Sequence, residues 1–391
     1  MTTPSTDSNL ILHTRVVSGA GGGPDKTILN SPRFLKDQGY PMLCAYLRDP
    51  ADPQFCQLEN RAQQWQAELV GVDDTGPLDW RVVGRIKALC EQRRPAIWHG
   101  HDYKTNLLGL LARRSVPMRL ITTVHGWVKH TWKTPLYYAI DRRCLPHYDQ
   151  VICVSQDLYD DCLARGVPAH KCWHVPNAID TKEFSRHRTA EQSKQELGVP
   201  AGRLVIGAVG RLSSEKGFDN LIKAVAELLA ENFDIELWIA GEGDAEDSLR
   251  QLAVDLNIED RVKLLGFRAD TLELYHSMDL FALSSLREGL PNVLLEAMAL
   301  EVPILTTRVA GVPKLVTDGD NGHIVEPGSV VELVTGLRSL LSDKERRNRL
   351  GAAGRRTIES KYSFANRMAK IKEIYDLTLG RDKCASTMSG T

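Results

Sequence analysis

The sequence predicts an α/β chain of two domains, each built on a largely parallel sheet. Short apolar runs alternate with longer, helically spaced segments, which is the pattern of βαβ units. The runs fall into two series separated by one polar, turn-rich stretch. A length of 391 residues also exceeds what a single hydrophobic core organises comfortably.

The first series of candidate strands comprises Leu10–Val17, Pro41–Tyr46, Ala96–His99, Leu120–Val124, Gln150–Val154 and Cys172–Val175. The second comprises Leu204–Val209, Glu236–Ala240, Val262–Leu265, Leu280–Ala282 and Pro303–Thr306. Between them runs VPNAIDTKEFSRHRTAEQSKQELGVP, which places the boundary near residues 180–200. The expected domains are residues 1–185 and 186–363. Over residues 364–380 the apolar positions Phe364, Met368, Ile371, Ile374, Tyr375 and Leu379 recur at helical spacing. Such a stripe suits a final helix that crosses back onto the first domain.

Composition excludes several classes. Hydrophobic residues are 42% and charged residues 25%, ordinary for a water-soluble globular chain. A formal net charge of -1 gives no overall attraction to nucleic acid, and no nucleic-acid partner is expected. The opening MTTPSTDSNL lacks the basic-then-apolar pattern of a secretory signal, and no apolar run is long enough to span a bilayer. A cytoplasmic setting is expected. The eight cysteines form no C-x-x-C pair and several sit in apolar runs, which fits reduced, buried thiols.

Chemistry concentrates at a few strand ends. The first strand runs into GAGGGPDKTI, where Gly19, Gly21, Gly22 and Gly23 permit positive φ and close backbone approach. Pro24 can open the next helix, whose first amides favour an anion. The spacing does not fit the dinucleotide fingerprint G-x-G-x-x-G, and no acid ends the second strand segment. A phosphate- or acceptor-facing loop and a plain tight turn both fit. In the second half, Arg211 and Lys216 follow a strand in VIGAVGRLSSEKG, where two cations would suit a diphosphate or mean only surface charge. In SLREGLPNVLLEAMA, Glu288 precedes a helix that Pro291 can start, and Glu296 lies within it among apolar residues. The amides of Leu290, Asn292, Val293 and Leu294 would face a phosphate, with a carboxylate on either side to accept sugar hydroxyls.

This last segment resembles the two-glutamate motif of glycosyltransferase family 4, enzymes of the GT-B fold with two facing Rossmann-like domains and a cleft between them. The resemblance extends over the glycine loop, HGHDY, TVHGW, VPNAID, GRLSSEKG, AGEGD, LLGF and AGVPKLVTDGDNGHIVEP. It implies transfer from a nucleotide-diphosphate sugar, a UDP-sugar first and GDP-mannose second, to a glycan or lipid-linked acceptor. Retention of anomeric configuration is implied as well; no metal cofactor is expected, since no paired-aspartate motif stands at a strand end and Arg211, Lys216 and helix amides can neutralise a diphosphate. Glu288 then resembles the residue on the donor-sugar hydroxyls, Glu296 the one on the ribose, and Arg211 and Lys216 the diphosphate pair. By the same likeness His125 lies beside the donor sugar, Gly22 and Gly23 approach the diphosphate or acceptor, and Arg268 marks the part that meets the base. Two departures are the extra glycines of the first loop and Ala178 where glycine is common in the family.

HGHDY also invites a metal reading of His99, His101 and Asp102. It offers no further ligand at a fitting spacing, so His101 and Asp102 are expected on the acceptor side. Between Leu78 and His147 there are 13 Lys or Arg against 4 Asp or Glu, a balance of 13 - 4 = +9. Trp127, Trp132, Tyr137 and Tyr138 are interleaved with Lys129, Lys133, Arg142 and Arg143 there. This face suits an anionic membrane surface, with peripheral attachment, or a solvated basic surface over core aromatics. A nucleotide-sugar epimerase of the same fold and a non-catalytic nucleotide-sugar-binding protein are the rival readings.

Overall fold

A computed structural model describes residues 9–77, 79–126, 134–268 and 270–381, without the side chains of 134–137. The chain divides into two compact units. One runs to Pro176 and resumes at Arg367; the other is Asn177–Asn366.

The first unit holds a seven-stranded parallel sheet in the order β3-β2-β1-β4-β5-β6-β7. Its strands are β1 Ile11–Val16, β2 Met42–Arg48, β3 Glu68–Asp73, β4 Ile97–Gly100, β5 Arg119–Val124, β6 Gln150–Cys153 and β7 Cys172–His174. The second unit holds six strands in the order β10-β9-β8-β11-β12-β13. These are β8 Leu204–Val209, β9 Ile235–Ala240, β10 Val262–Leu264, β11 Leu280–Leu283, β12 Ile304–Thr307 and β13 His323–Val325. The eleven strands read from the sequence are present with ends shifted by a residue or two. β3 and β13, both at sheet edges, are additional.

Burial explains the strands. The first six residues of β2, MLCAYL, are buried, as a strand covered on both faces requires. In the second unit the helix Phe218–Ala230 buries Phe218, Leu221, Ile222, Val225 and Leu228, the three-and-four spacing of one apolar face. That face packs with Ile206, Leu237 and Leu280 of the sheet. The final helix, Phe364–Thr378, buries Met368, Ile371, Ile374 and Tyr375. Its Arg367 donates to the carbonyls of Val175 and Pro176, and the Tyr40 hydroxyl donates to Asp376. Six cysteines are buried, Cys56 is exposed, and all seven described are free thiols; Cys384 lies outside the described residues. No described helix is long and apolar enough to cross a membrane.

Both sheets share one topological consequence. The chain starts in a central strand, builds outward to one side, then crosses to the other, so the strand order reverses between β1 and β4 and again between β8 and β11. Loops leaving the carboxyl ends of such a pair diverge and open a crevice. In the second unit the backbone there is tight. Gly241 follows β9 at φ +145, and a Cβ on it would stand 1.8 Å from the carbonyl oxygen of Gly210, which follows β8. Only glycine fits. Gly241→Ala is therefore expected to destabilise the chain by more than about 1 kcal/mol, because both the backbone conformation and the contact oppose a side chain. A thermal melt unchanged from the parent would refute this.

Candidate active site

In the second unit, the reversal point gathers charge. Arg211 and Lys216 lie after β8, Arg211 exposed and Lys216 in a short 3-10 turn, Ser214–Lys216. The β11 loop is stitched to this turn: Ser284 Oγ donates to the Lys216 carbonyl at 2.9 Å, and the Leu286 amide donates to the Glu215 carbonyl at 2.8 Å. Across this seam Lys216 Nζ donates to Glu288 Oε1 at 2.5 Å, and Ser285 Oγ donates to the same oxygen at 2.8 Å. The two side chains are only 19% and 11% exposed, so water screens this pair far less than a surface ion pair.

The next helix is Asn292–Ala299, with Pro291 at its N-cap. Its first amides, those of Asn292 and Val293, have no carbonyl four residues back to receive them. The Leu294 amide does not share that state: it donates to the Pro291 carbonyl at 3.1 Å, contrary to the run of open amides expected there. Glu296 is buried at 3% exposure in the following turn. Tyr275 compensates, its hydroxyl donating to Glu296 Oε2 at 3.0 Å; burial and then the Glu296 charge raise the Tyr275 pKa far above its ordinary value. Arg268 is held by Asp270 in a two-pronged ion pair, Nε to Oδ1 at 2.7 Å and Nη2 to Oδ2 at 2.5 Å. Asp270 is correspondingly lowered, chiefly by that hydrogen bond.

In the first unit, the loop after β1 is tied to the segment after β2, and the end of β1 itself to the segment after β4. Gly19 and Gly21 take φ +63 and +75, whereas Gly22 is extended at φ -145 and caps the helix Gly23–Asn30. The left-handed conformation expected of all four glycines is confined to Gly19 and Gly21, because Gly22 and Gly23 enter a helix. The Gly22 amide is already engaged, donating to Asp25 Oδ2 at 2.6 Å, and the Gly19 amide donates to Asp52 Oδ2 at 2.6 Å. Asp102 caps the helix Tyr103–Ala112: its Oδ1 accepts from the amides of Lys104 and Thr105, both at 3.0 Å. Its Oδ2 accepts from the Val16 amide at 2.7 Å, tying the end of β1 to the end of β4. Both oxygens thus serve the backbone. Burial raises the Asp102 pKa.

Beside this clamp stand four histidines. His13 of β1 pairs in register with His99 of β4, and the sheet thereby brings His13 to HGHDY. His13 Nδ1 is 2.9 Å from His101 Nε2, and His101 Nδ1 is 3.1 Å from His125 Nε2. His99 bonds the Tyr375 hydroxyl and Thr123 Oγ1, each at 2.8 Å. The ligand atoms of His13, His99 and His101 lie within 4.8 Å of one another. Their rings, however, stack with interplanar angles of 16 to 27°. Lone pairs in near-parallel planes do not converge on one point, which is poor geometry for a cation. Burial lowers every one of these pKa values, that of His13 to about 3.

Two family models cover the chain: "Glycosyltransferase Family 4" over residues 21–183 and "Glycosyl transferases group 1" over residues 189–357. The GDP-mannose-dependent alpha-(1-6)-phosphatidylinositol monomannoside mannosyltransferase of Mycolicibacterium smegmatis is 31% identical, over 75% of this chain and 79% of its own length. The chain belongs to glycosyltransferase family 4. The UDP-Gal:alpha-D-GlcNAc-diphosphoundecaprenol alpha-1,3-galactosyltransferase of Escherichia coli is 28% identical, over 76% of this chain and 79% of its own. Anabaena Alr3699/HepE, solved in complex with UDP, superposes with a TM-score of 0.79 at 22% identity over 93% of this chain and 98% of that one. The fold is GT-B.

For this glycosyltransferase the structure joins Lys216 to Glu288 and places Glu296 one turn into the adjoining helix. It also joins His101 to His125. Ser285, Tyr275 and His13 complete these sets and were not singled out in the sequence. A hydroxyl or imidazole inside an apolar run carries no local signal, and only strand register reveals His13. Of the basic, aromatic stretch, Trp127, Lys129, Trp132 and Lys133 lie outside the described residues. Arg142 approaches Asp161 at 3.7 Å.

The lowered histidines make stability depend on pH. Below a pH of about 6.5 the unfolded chain binds protons that the folded rings refuse, so stability falls as pH drops from there toward the folded values. Each refusing ring contributes a slope of about 1.4 kcal/mol per pH unit. Urea midpoints should accordingly drop between about pH 7 and about pH 5; a rise would contradict neutral burial.

Proposed function

We propose that this glycosyltransferase moves a sugar from a nucleotide-diphosphate donor to a glycan or lipid-linked acceptor, with retention and without a metal. The observation that carries the reading is the desolvated Lys216–Glu288 pair at the reversal point of the second sheet, beside a helix start with open amides. A diphosphate entering there meets Lys216, Arg211 and the amides of Asn292 and Val293, which together neutralise it without a cation. Glu288, held by Lys216 and Ser285, accepts hydrogen bonds from the sugar hydroxyls in this reading, and Glu296, oriented by Tyr275, accepts from the ribose. The bond from the anomeric carbon to the phosphate oxygen breaks, the acceptor oxygen takes its place, and the departing phosphate oxygen receives the acceptor's proton. A relative named for GDP-mannose and one named for UDP-Gal support either nucleotide, and one of those acceptors is a lipid diphosphate by name. Thermal stabilisation by each nucleotide sugar separates the donors, since a ligand bound only by the folded state raises the melt by mass action.

The roles of the carboxylates differ. Glu288→Gln should abolish transfer while leaving nucleotide affinity nearly intact, and Glu296→Ala should weaken binding of the nucleotide itself; calorimetry giving the reverse would overturn the division. Lys216→Ala should lower turnover roughly 10- to 150-fold, the loss of a charge-assisted contact of about 1.5–3 kcal/mol. Unchanged turnover would reduce Lys216 to a structural partner of Glu288.

The overall reaction has its own check. With the right donor, nuclear magnetic resonance should show nucleotide released and a product linkage of the donor's configuration, in the presence of a chelator. An isomerised nucleotide sugar without release would mean an epimerase, an inverted linkage would remove retention, and loss of activity restored by divalent cation would remove metal independence.

A further inference from the structure

Three histidines of the first unit form a hydrogen-bonded line, His13 Nδ1 to His101 Nε2 and His101 Nδ1 to His125 Nε2. A neutral imidazole has one N–H and one lone pair, so each link fixes the next. The line can run in either direction, and its buried end decides which. His13 is 3% exposed, and its Nε2 has no hydrogen-bond partner among the described residues. If the line ran from His125 toward His13, His13 would accept at Nδ1 and carry an orphaned N–H at Nε2. If it runs outward, only a lone pair is left unmet. Buried N–H groups without partners are the rarer state in proteins. The outward direction follows: His13 Nδ1–H donates to His101, and His101 Nδ1–H donates to His125 Nε2.

We propose that His101 is a positioning residue, oriented from His13, that holds His125 as the tautomer protonated on Nδ1. An imidazole free in water prefers its proton on Nε2, so the protein selects the minor form. Burial, then the charges of Arg15 and Arg367, keep His125 uncharged in this arrangement. On the transferase reading, on which only this consequence rests, Nδ1 of His125 is a hydrogen-bond donor to substrate and not a proton acceptor. His101 itself touches no substrate in this scheme.

The tautomer is directly observable. In the full chain labelled with 15N at histidine, long-range proton–nitrogen correlations should show His125 with a protonated Nδ1 and an unprotonated Nε2 at neutral pH. A His125→Phe sample identifies its signals. His101→Asn keeps a donor nitrogen near the position of Nδ1 and should preserve the pattern. His101→Leu and His13→Phe each break the line and should shift His125 toward the Nε2–H form. A parent spectrum with the proton on Nε2 overturns the proposal even if no variant folds. So does an Nδ1–H signal that survives His101→Leu. The spectra need no donor or turnover, so failure of the transferase reading would leave this result standing.

Discussion

Each sheet begins in its middle, and that forces its chemistry to one place. At the reversal between β1 and β4, and between β8 and β11, neighbouring loops leave in opposite directions, and the ladder that pairs the strands does not continue into them. Amides and carbonyls there must find side chains, ligands or water. The first unit answers with Asp102, whose carboxylate spans from its own helix start to the Val16 amide. The second answers with hydroxyls and charges, Ser284 on the Lys216 carbonyl and Lys216 on Glu288. The residues that close the gap are therefore the residues that line it.

The two units handle the cost of buried polarity differently. In the first, the rings are kept neutral: desolvation lowers all four histidines, and stacking with mutual hydrogen bonds replaces hydration. In the second, each buried group meets a partner within hydrogen-bond distance, Lys216 against Glu288 and the Tyr275 hydroxyl against Glu296. A neutral, rigid site suits orientation of hydroxyl groups, whereas a compensated ion pair can exchange partners. On the proposed function, a diphosphate arriving at Lys216 would compete with Glu288 for that cation.

Much of this was legible beforehand. Continuous apolar runs such as MLCAYL and LVIGAV declare central strands, because a strand covered on both faces needs no polar alternation. The missed strands sit at edges. β3 is ELVGVD, exposed or half-exposed at most positions, and β13 is three residues long, so neither presents a run to read. Lys216 stood out because it follows a strand end together with Arg211, and Glu296 because a carboxylate among the apolar residues of a helix needs explanation. Ser285 and Tyr275 did not, since both are ordinary in sequence and acquire meaning only from the fold. His13 is the clearest case: 86 residues separate it from His99, a distance that β1–β4 register removes.

The occupancy of the backbone amides also separates the two loops that the sequence made look alike. Both follow a central strand and lead toward a helix start, and both were read as able to face a phosphate. In the first unit carboxylates already hold those donors: Asp52 at Gly19, Asp25 at Gly22 and Asp102 at Val16. Asp25 is in turn 2.8 Å from Arg15 Nε, so its charge is compensated where it stands. A phosphate reaching the Gly22 amide must displace this acid and meet its repulsion. The helix at Asn292 has Pro291 at its N-cap, with no side-chain cap, and no acid in its first turn, while Lys216 and Arg211 lie on the loop that follows β8. On the proposed function, the open amides at Asn292 therefore suit an anion better than the occupied amides of the glycine loop. The glycine loop, with its amides satisfied by acids, is better matched to neutral groups approaching Gly22, where a Cβ would find only Pro24 within 4 Å.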